Sequence, residues 1–168
     1  INDYLKMIFP RLAEAACPEC ARPVRPETPA SILHDLLHHH AGQSALIGFE
    51  VEVPAKTPAK EFFPFLSSQG YLRVHIFGAT YRTDEPDTFG KKRLPARVFV
   101  VQDRVKLDPT QRTRLSEALE AALRLGKGQI SVLFADNPQS GFGNPHSYST
   151  DWRCADCDIR LPAPTPGL

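Results

Sequence analysis

Arg97-Val98-Phe99-Val100-Val101-Gln102-Asp103-Arg104-Val105-Lys106, followed by Leu107-Asp108-Pro109 and a helical stripe that runs to Leu125, decides the fold class. Val98 to Val101 are apolar on both faces, the pattern of an interior strand, and Asp103 and Arg104 bring its end back into water. Asp108 then serves as an N-cap, Pro109 suits a first helical turn, and Gln111 completes a capping-box pattern. Leu115, Ala118, Leu119, Ala122 and Leu123 fall on one stripe before Gly126 supplies a stop.

Outward from this pair, Tyr71 to Phe77 reads as a strand with Leu72, Val74 and Ile76 on one face and Tyr71, Arg73 and His75 on the other. Ala45 to Val53 and Gln129 to Ala135 have strand character, and His146 to Trp152 supplies a last strand. Ile1 to Ala16 reads as a helix interrupted at Pro10, with Leu5, Ile8, Phe9 and Leu12 at helical spacing. Ser31 to His40 and Lys60 to Ser68 are shorter helices, while Thr83 to Leu94 and Asp136 to Asn144 read as loops. Helices and strands mix without a βαβ rhythm, so the expectation is an α+β fold: a mixed sheet with packed helices.

The 168 residues are 42% hydrophobic and 23% charged, with a net charge of +1. This predicts one domain with its own core. No apolar run approaches the ~20 residues that cross a bilayer, and no secretory leader is expected, so the reading is cytoplasmic with no membrane partner. A balance of 20 Lys+Arg against 19 Asp+Glu disfavours a dedicated polyanion binder. Ile1 at one end and Leu161-Pro162-Ala163-Pro164-Thr165-Pro166-Gly167-Leu168 at the other read as crossings into a longer chain.

All four cysteines sit in two Cys-x-x-Cys pairs, Cys17/Cys20 and Cys154/Cys157. A two-residue gap lets both thiolates of a pair reach one ion, and two pairs supply the ligands of a tetrahedral structural zinc site. Three readings stand: one joint zinc site clasping the base of an inserted domain, separate sites completed by ligands elsewhere, or disulfides and free thiols. A cytosolic setting disfavours stable disulfides.

Other constellations are weaker. His38-His39-His40 point in different directions from a helix end, and Gly126-Lys127-Gly128 follows a helix where a phosphate loop would open one. No nucleophile–base arrangement stands out, and Asp103, Glu117 and Glu120 make no convincing acid/base pair. Lys91, Lys92, Arg93 and Arg97 form a basic run, either a solvated loop or a DNA contact. Arg73 stands in mid-strand beside Tyr71 and His75, as interface anchors do, and Arg104 joins it if the two strands are neighbours.

Ile1-Asn2-Asp3-Tyr4-Leu5-Lys6-Met7-Ile8-Phe9 with Cys17-Pro18-Glu19-Cys20 resembles the part of the UvrA family that leads into its inserted UvrB-binding domain. The likeness resumes at Ser68-Gln69-Gly70-Tyr71-Leu72-Arg73-Val74 and Val100-Val101-Gln102-Asp103-Arg104. Arg114 to Leu123, Leu125-Gly126-Lys127-Gly128 and Cys154-Ala155-Asp156-Cys157 complete it. The resemblance implies a docking module of a DNA-repair ATPase, with 1–27 as a connecting helix and first cysteine pair, 28–148 as the UvrB-binding domain, and 149–168 as the second pair and return linker. It implies UvrB as partner, gripped through Arg73 and Arg104 with Tyr71 and His75 alongside, and a structural zinc ion. ATP would belong to the rest of the parent chain, since Walker and signature sequences are absent here and this piece is expected not to be an enzyme. DNA would be met through the parent. Family members carry a further cysteine pair downstream, which favours separate zinc sites. The sequence departs from the family at Arg93-Leu94-Pro95-Ala96-Arg97, at Gln102, and between Glu50 and Lys60.

Overall fold

The computed structural model describes residues 2–12, 14–135 and 141–164. Part of the expected Asp136–Asn144 loop and the end of the proline tail therefore fall outside the described residues, as do the side chains of Phe9 and Leu12. Helix α1 (Asn2–Leu12) is followed by two short paired strands, β1 (Ala15–Ala16) and β2 (Pro23–Val24), and by α2 (Pro29–His39). Then come β3 (Ser44–Glu52), α3 (Ala59–Ser68), β4 (Arg73–Ile76) and β5 (Ala79–Arg82). β6 (Arg97–Lys106), α4 (Arg112–Leu125), β7 (Gln129–Ala135) and β8 (His146–Ser149) complete the chain. The fold is α+β. Six antiparallel strands form one sheet in the order β5-β4-β6-β3-β7-β8.

All three packed helices cover the same sheet face. Alternate residues of β3 (Ala45, Ile47, Phe49) point at them, and Ile32, Leu33 and Leu36 of α2 interlock with the Leu115–Leu123 stripe of α4. Beneath α3, Phe62, Phe63 and Leu66 meet Val74, Ile76, Val98 and Val100. Each of these fully buried aliphatic or aromatic side chains contributes about 1.5–3 kcal/mol. The opposite face carries a smaller patch of Leu46, Phe99 and Leu133, flanked by Val101 and Phe142.

Several expectations require correction. The first helix stops at Leu12, and Ala15–Ala16 instead pairs with Pro23–Val24. Tyr4, Leu5, Met7 and Ile8 are exposed, so no part of the described chain covers the apolar side of α1. The Gln111 capping box does not form: Asp108 caps a 3-10 turn (Pro109–Gln111) by accepting from the Thr110 N–H at 2.8 Å, and Gln111 Oε1 is unpartnered. β5 lies where the sequence predicts no element, between the Tyr71–Phe77 strand and the Thr83–Leu94 loop. It joins β4 through the two-residue turn Phe77-Gly78, with φ of +51° and +81°, the geometry of a type I′ hairpin.

β4 also begins two residues later than expected. Tyr71 therefore escapes the alternation, and its ring packs edge-on against Phe49 at 5.4 Å, on the helix-covered side. Leu72, expected in the core, is 63% exposed.

β6 contains a bulge. Ile47 pairs with Asp103 but Gly48 pairs with Val101, leaving Gln102 as the extra residue. Val98 and Val100 face the core, and so does Val105; the extra residue reverses the alternation, and Arg104 emerges on the open face with Phe99 and Val101.

Candidate metal centre and docking face

The two Cys-x-x-Cys segments fold into copies of one loop. The Cys17 N–H donates to the Arg22 carbonyl and the Ala21 N–H to the Cys17 carbonyl, both at 2.9 Å, with Ala21 at φ +56°. Likewise the Cys154 N–H donates to the Ile159 carbonyl and the Asp158 N–H to the Cys154 carbonyl, again at 2.9 Å, with Asp158 at φ +59°. This tight backbone turns both sulfurs of a pair the same way. An Arg22–Asp156 ion pair at 2.5 Å bridges the loops, and Val24, Trp152, Ile159 and Leu161 wall them in.

The consequence is that all four Sγ atoms lie within 4.8 Å of one another, and Cys20 and Cys154 approach to 3.6 Å. A tetrahedral ion with metal–sulfur bonds of about 2.3 Å needs sulfur–sulfur edges of about 3.8 Å. The four cysteines of the two pairs are thus positioned together to hold a metal ion. The backbone N–H of Cys20, acting against burial, lowers the Cys17 thiol to about 7. Contact with Cys20, then burial, pushes Cys157 up to about 12. Four clustered sulfurs resist becoming four thiolates by themselves, and a divalent cation supplies the charge that removes this resistance.

On the open sheet face, Arg73 and Arg104 come together. They line one cleft of about 330 Å³ with Gly70, Leu72, Arg82 and Gln102. Among the described residues neither guanidinium has an ion pair. Arg104 lies over the Phe142 ring, 5.5 Å from its centroid, in a cation–π contact. His75 meets the same ring edge-on at 5.7 Å and its Nδ1 lies 3.1 Å from Thr80 Oγ1; burial lowers its pKa. Arg82, by contrast, is engaged by Asp84 at 2.6 Å.

Of the four residues expected at a partner surface, Arg73, Arg104 and His75 share this face; half-buried Tyr71 also lines the cleft, with its ring packed against Phe49 on the helix-covered side. Phe142 escaped sequence reasoning; its signal was a lone aromatic flanked by Gly141 and Gly143. The basic run also divides. Lys91, Lys92 and Arg93 stay together with Lys56 at a separate cleft, while Arg97 pairs with Glu50 at 3.3 Å and lines a different one.

A helix-backed antiparallel sheet whose chain ends are tied by four clustered cysteines defines the class: an α+β module with a metal-ready base. The chain belongs to the UvrA family, since residues 27–136 match the family described as "UvrA interaction domain". It is 31% identical to the UvrABC system protein A of Thermus thermophilus over 157 residues, covering 93% of this chain and 16% of that protein. It is 30% identical to the protein of the same name from Xylella fastidiosa over 168 residues, covering 100% of this chain and 17% of that one. The Deinococcus radiodurans relative is 27% identical over 157 residues, with 93% and 16% covered. The chain thus spans about a sixth of the length of these curated relatives. Among the described residues, no helix is long and apolar enough to cross a membrane.

Proposed function

We propose that this chain is the part of a UvrA-type nucleotide excision repair ATPase that docks UvrB, so that UvrB can be loaded at damaged DNA. The single observation that carries the reading is the shared cleft of Arg73 and Arg104, two unpaired guanidiniums on the sheet face left open by the helices. Cationic anchors of this kind meet carboxylates of the partner, fix register and speed encounter. Leu72, 63% exposed at the cleft, supplies an apolar contact to be buried there. The segment itself acts non-covalently. ATP binding belongs to the remainder of the parent chain, as does the principal grip on DNA, and the working compartment is the cytoplasm.

Zinc is the ion proposed for the four-sulfur site, because four thiolates in a tetrahedron favour it. Bound there, it would cross-link the two ends of the segment and hold the sheet at a fixed attitude to the parent. Residues 28–148 would then be the docking body, with the flanking stretches carrying the cysteine clasp. Titration of the 168-residue chain with UvrB tests the docking reading: saturable binding that weakens with salt is expected, and the absence of a complex at low salt overturns it.

A further inference from the structure

Away from the sheet face, two loops enclose a cleft of about 670 Å³ between Val53–Pro58 and Lys91–Ala96. Both are held firmly. The Val53 N–H donates to the Ala96 carbonyl at 2.9 Å and the Thr57 N–H to the Pro54 carbonyl at 3.2 Å. Leu94 and Ala59, both buried, pin the loops to the core. Lys56 sits at φ +65°, in the left-handed region that non-glycine residues enter at a cost, and this places it opposite the Lys91–Arg93 run.

Lys56, Lys91, Lys92 and Arg93 all line this cleft, and no Asp or Glu does. All four are exposed, and among the described residues none is in an ion pair. Other cations of the chain do find carboxylates: Lys60 with Asp87 at 2.8 Å, Arg97 with Glu50, Arg114 with Asp103. With a total charge of only +1, the chain outside the cleft is net negative, so these four cations make a local positive patch on a chain otherwise balanced toward acid.

We infer that this cleft grips the phosphodiester backbone of duplex DNA. The lining has no aromatic ring, so it offers no stacking platform for unpaired bases. Cations held on firm loops with no carboxylate beside them are what sequence-independent phosphate contact needs. The inference does not rest on UvrB docking, because it uses a different surface.

The test is fluorescence anisotropy of a labelled short random-sequence duplex with the 168-residue chain, between about 50 and 200 mM salt. Wild type is expected to bind with an affinity that falls steeply as salt rises. The variant Lys56→Gln/Lys91→Gln/Lys92→Gln/Arg93→Gln should bind at least tenfold more weakly at low salt. Its log–log salt slope should be shallower by about 0.9 for each cation that meets a phosphate. Arg97→Gln and Arg73→Ala/Arg104→Ala should bind as wild type, which separates this site from the docking face. Unfolding curves for the exposed substitutions check the fold, and Lys91→Gln/Lys92→Gln alone should give an intermediate slope. Salt-insensitive binding, no duplex binding, or an unchanged quadruple variant overturns the inference. So does competition by polyglutamate as effective as by duplex, which would assign the cleft to an acidic protein.

Discussion

Asp103 accepts both prongs of the Arg114 guanidinium, 3.0 Å from Nε and 2.9 Å from Nη2. The carboxylate next in sequence to Arg104 is therefore committed to α4, and Arg104 keeps its charge for the open face. Arg114 Nη2 also reaches the Arg104 carbonyl at 3.4 Å, so the fork braces the end of β6 just past the bulge. Arg114→Ala should weaken UvrB binding several-fold in titration, with only a small shift in the urea midpoint, because exposed pairs add little stability. Arg114→Lys restores the charge without the fork and should recover only part of the affinity.

The four-sulfur site predicts one equivalent of zinc per chain by elemental analysis. Cys154→Ser should lose it, and a strong chelator should lower the melting temperature of wild type while leaving the variant unchanged. A metal-free wild type with an unaltered melting curve would contradict the shared site.

Gly48 lies beside the bulge because nothing larger fits. A Cβ there would sit 2.0 Å from the Val100 carbonyl oxygen and 2.8 Å from the Phe99 ring. Gly48→Ala should cost about 1–3 kcal/mol in urea unfolding, the range for forced overpacking. It should also disturb Arg104, since the ring and the bulge that orient it must shift.

The Tyr148 hydroxyl donates to Asp35 Oδ2 at 2.7 Å, and His39 Nδ1 lies 2.9 Å from Oδ1. Burial raises the Asp35 carboxyl, but the Tyr148 hydrogen bond and the His39 charge outweigh it and hold the group below its usual value. The folded state then binds fewer protons than the unfolded one. This stability is complete above the ordinary carboxylate pKa of about 3.9 and disappears as pH falls through the lower folded value. Tyr148→Phe should lose about 1 kcal/mol at pH 7, the low end for a charged acceptor that water still screens. The gap from wild type should close below about pH 4.

Much of the layer structure was legible in the sequence because it follows from local periodicity. The α4 stripe, the inner face of α2 and the all-apolar run of β6 each announce what they bury. What stayed hidden depends on pairing between distant segments. The bulge at Gln102 exists only in register with Ile47 and Gly48, so the chain alone placed Arg104 at a strand end without a face. The β4–β5 hairpin was masked because Phe77 occupies a left-handed turn position where Asn or Gly is the usual sign. For the cysteines, spacing defined each pair, but that Cys20 meets Cys154 emerges only from the folded sheet. Lys56 joined the basic run for the same reason, through space across two loops.

The central claim is that Arg73 and Arg104 act together on one partner surface, and calorimetric titration of UvrB with wild type and with Arg73→Ala/Arg104→Ala tests it most directly. The double variant, its fold verified by circular dichroism, is expected to bind about 2 kcal/mol or more weakly, as loss of interface anchors does. An unchanged affinity in a folded double variant would contradict the account.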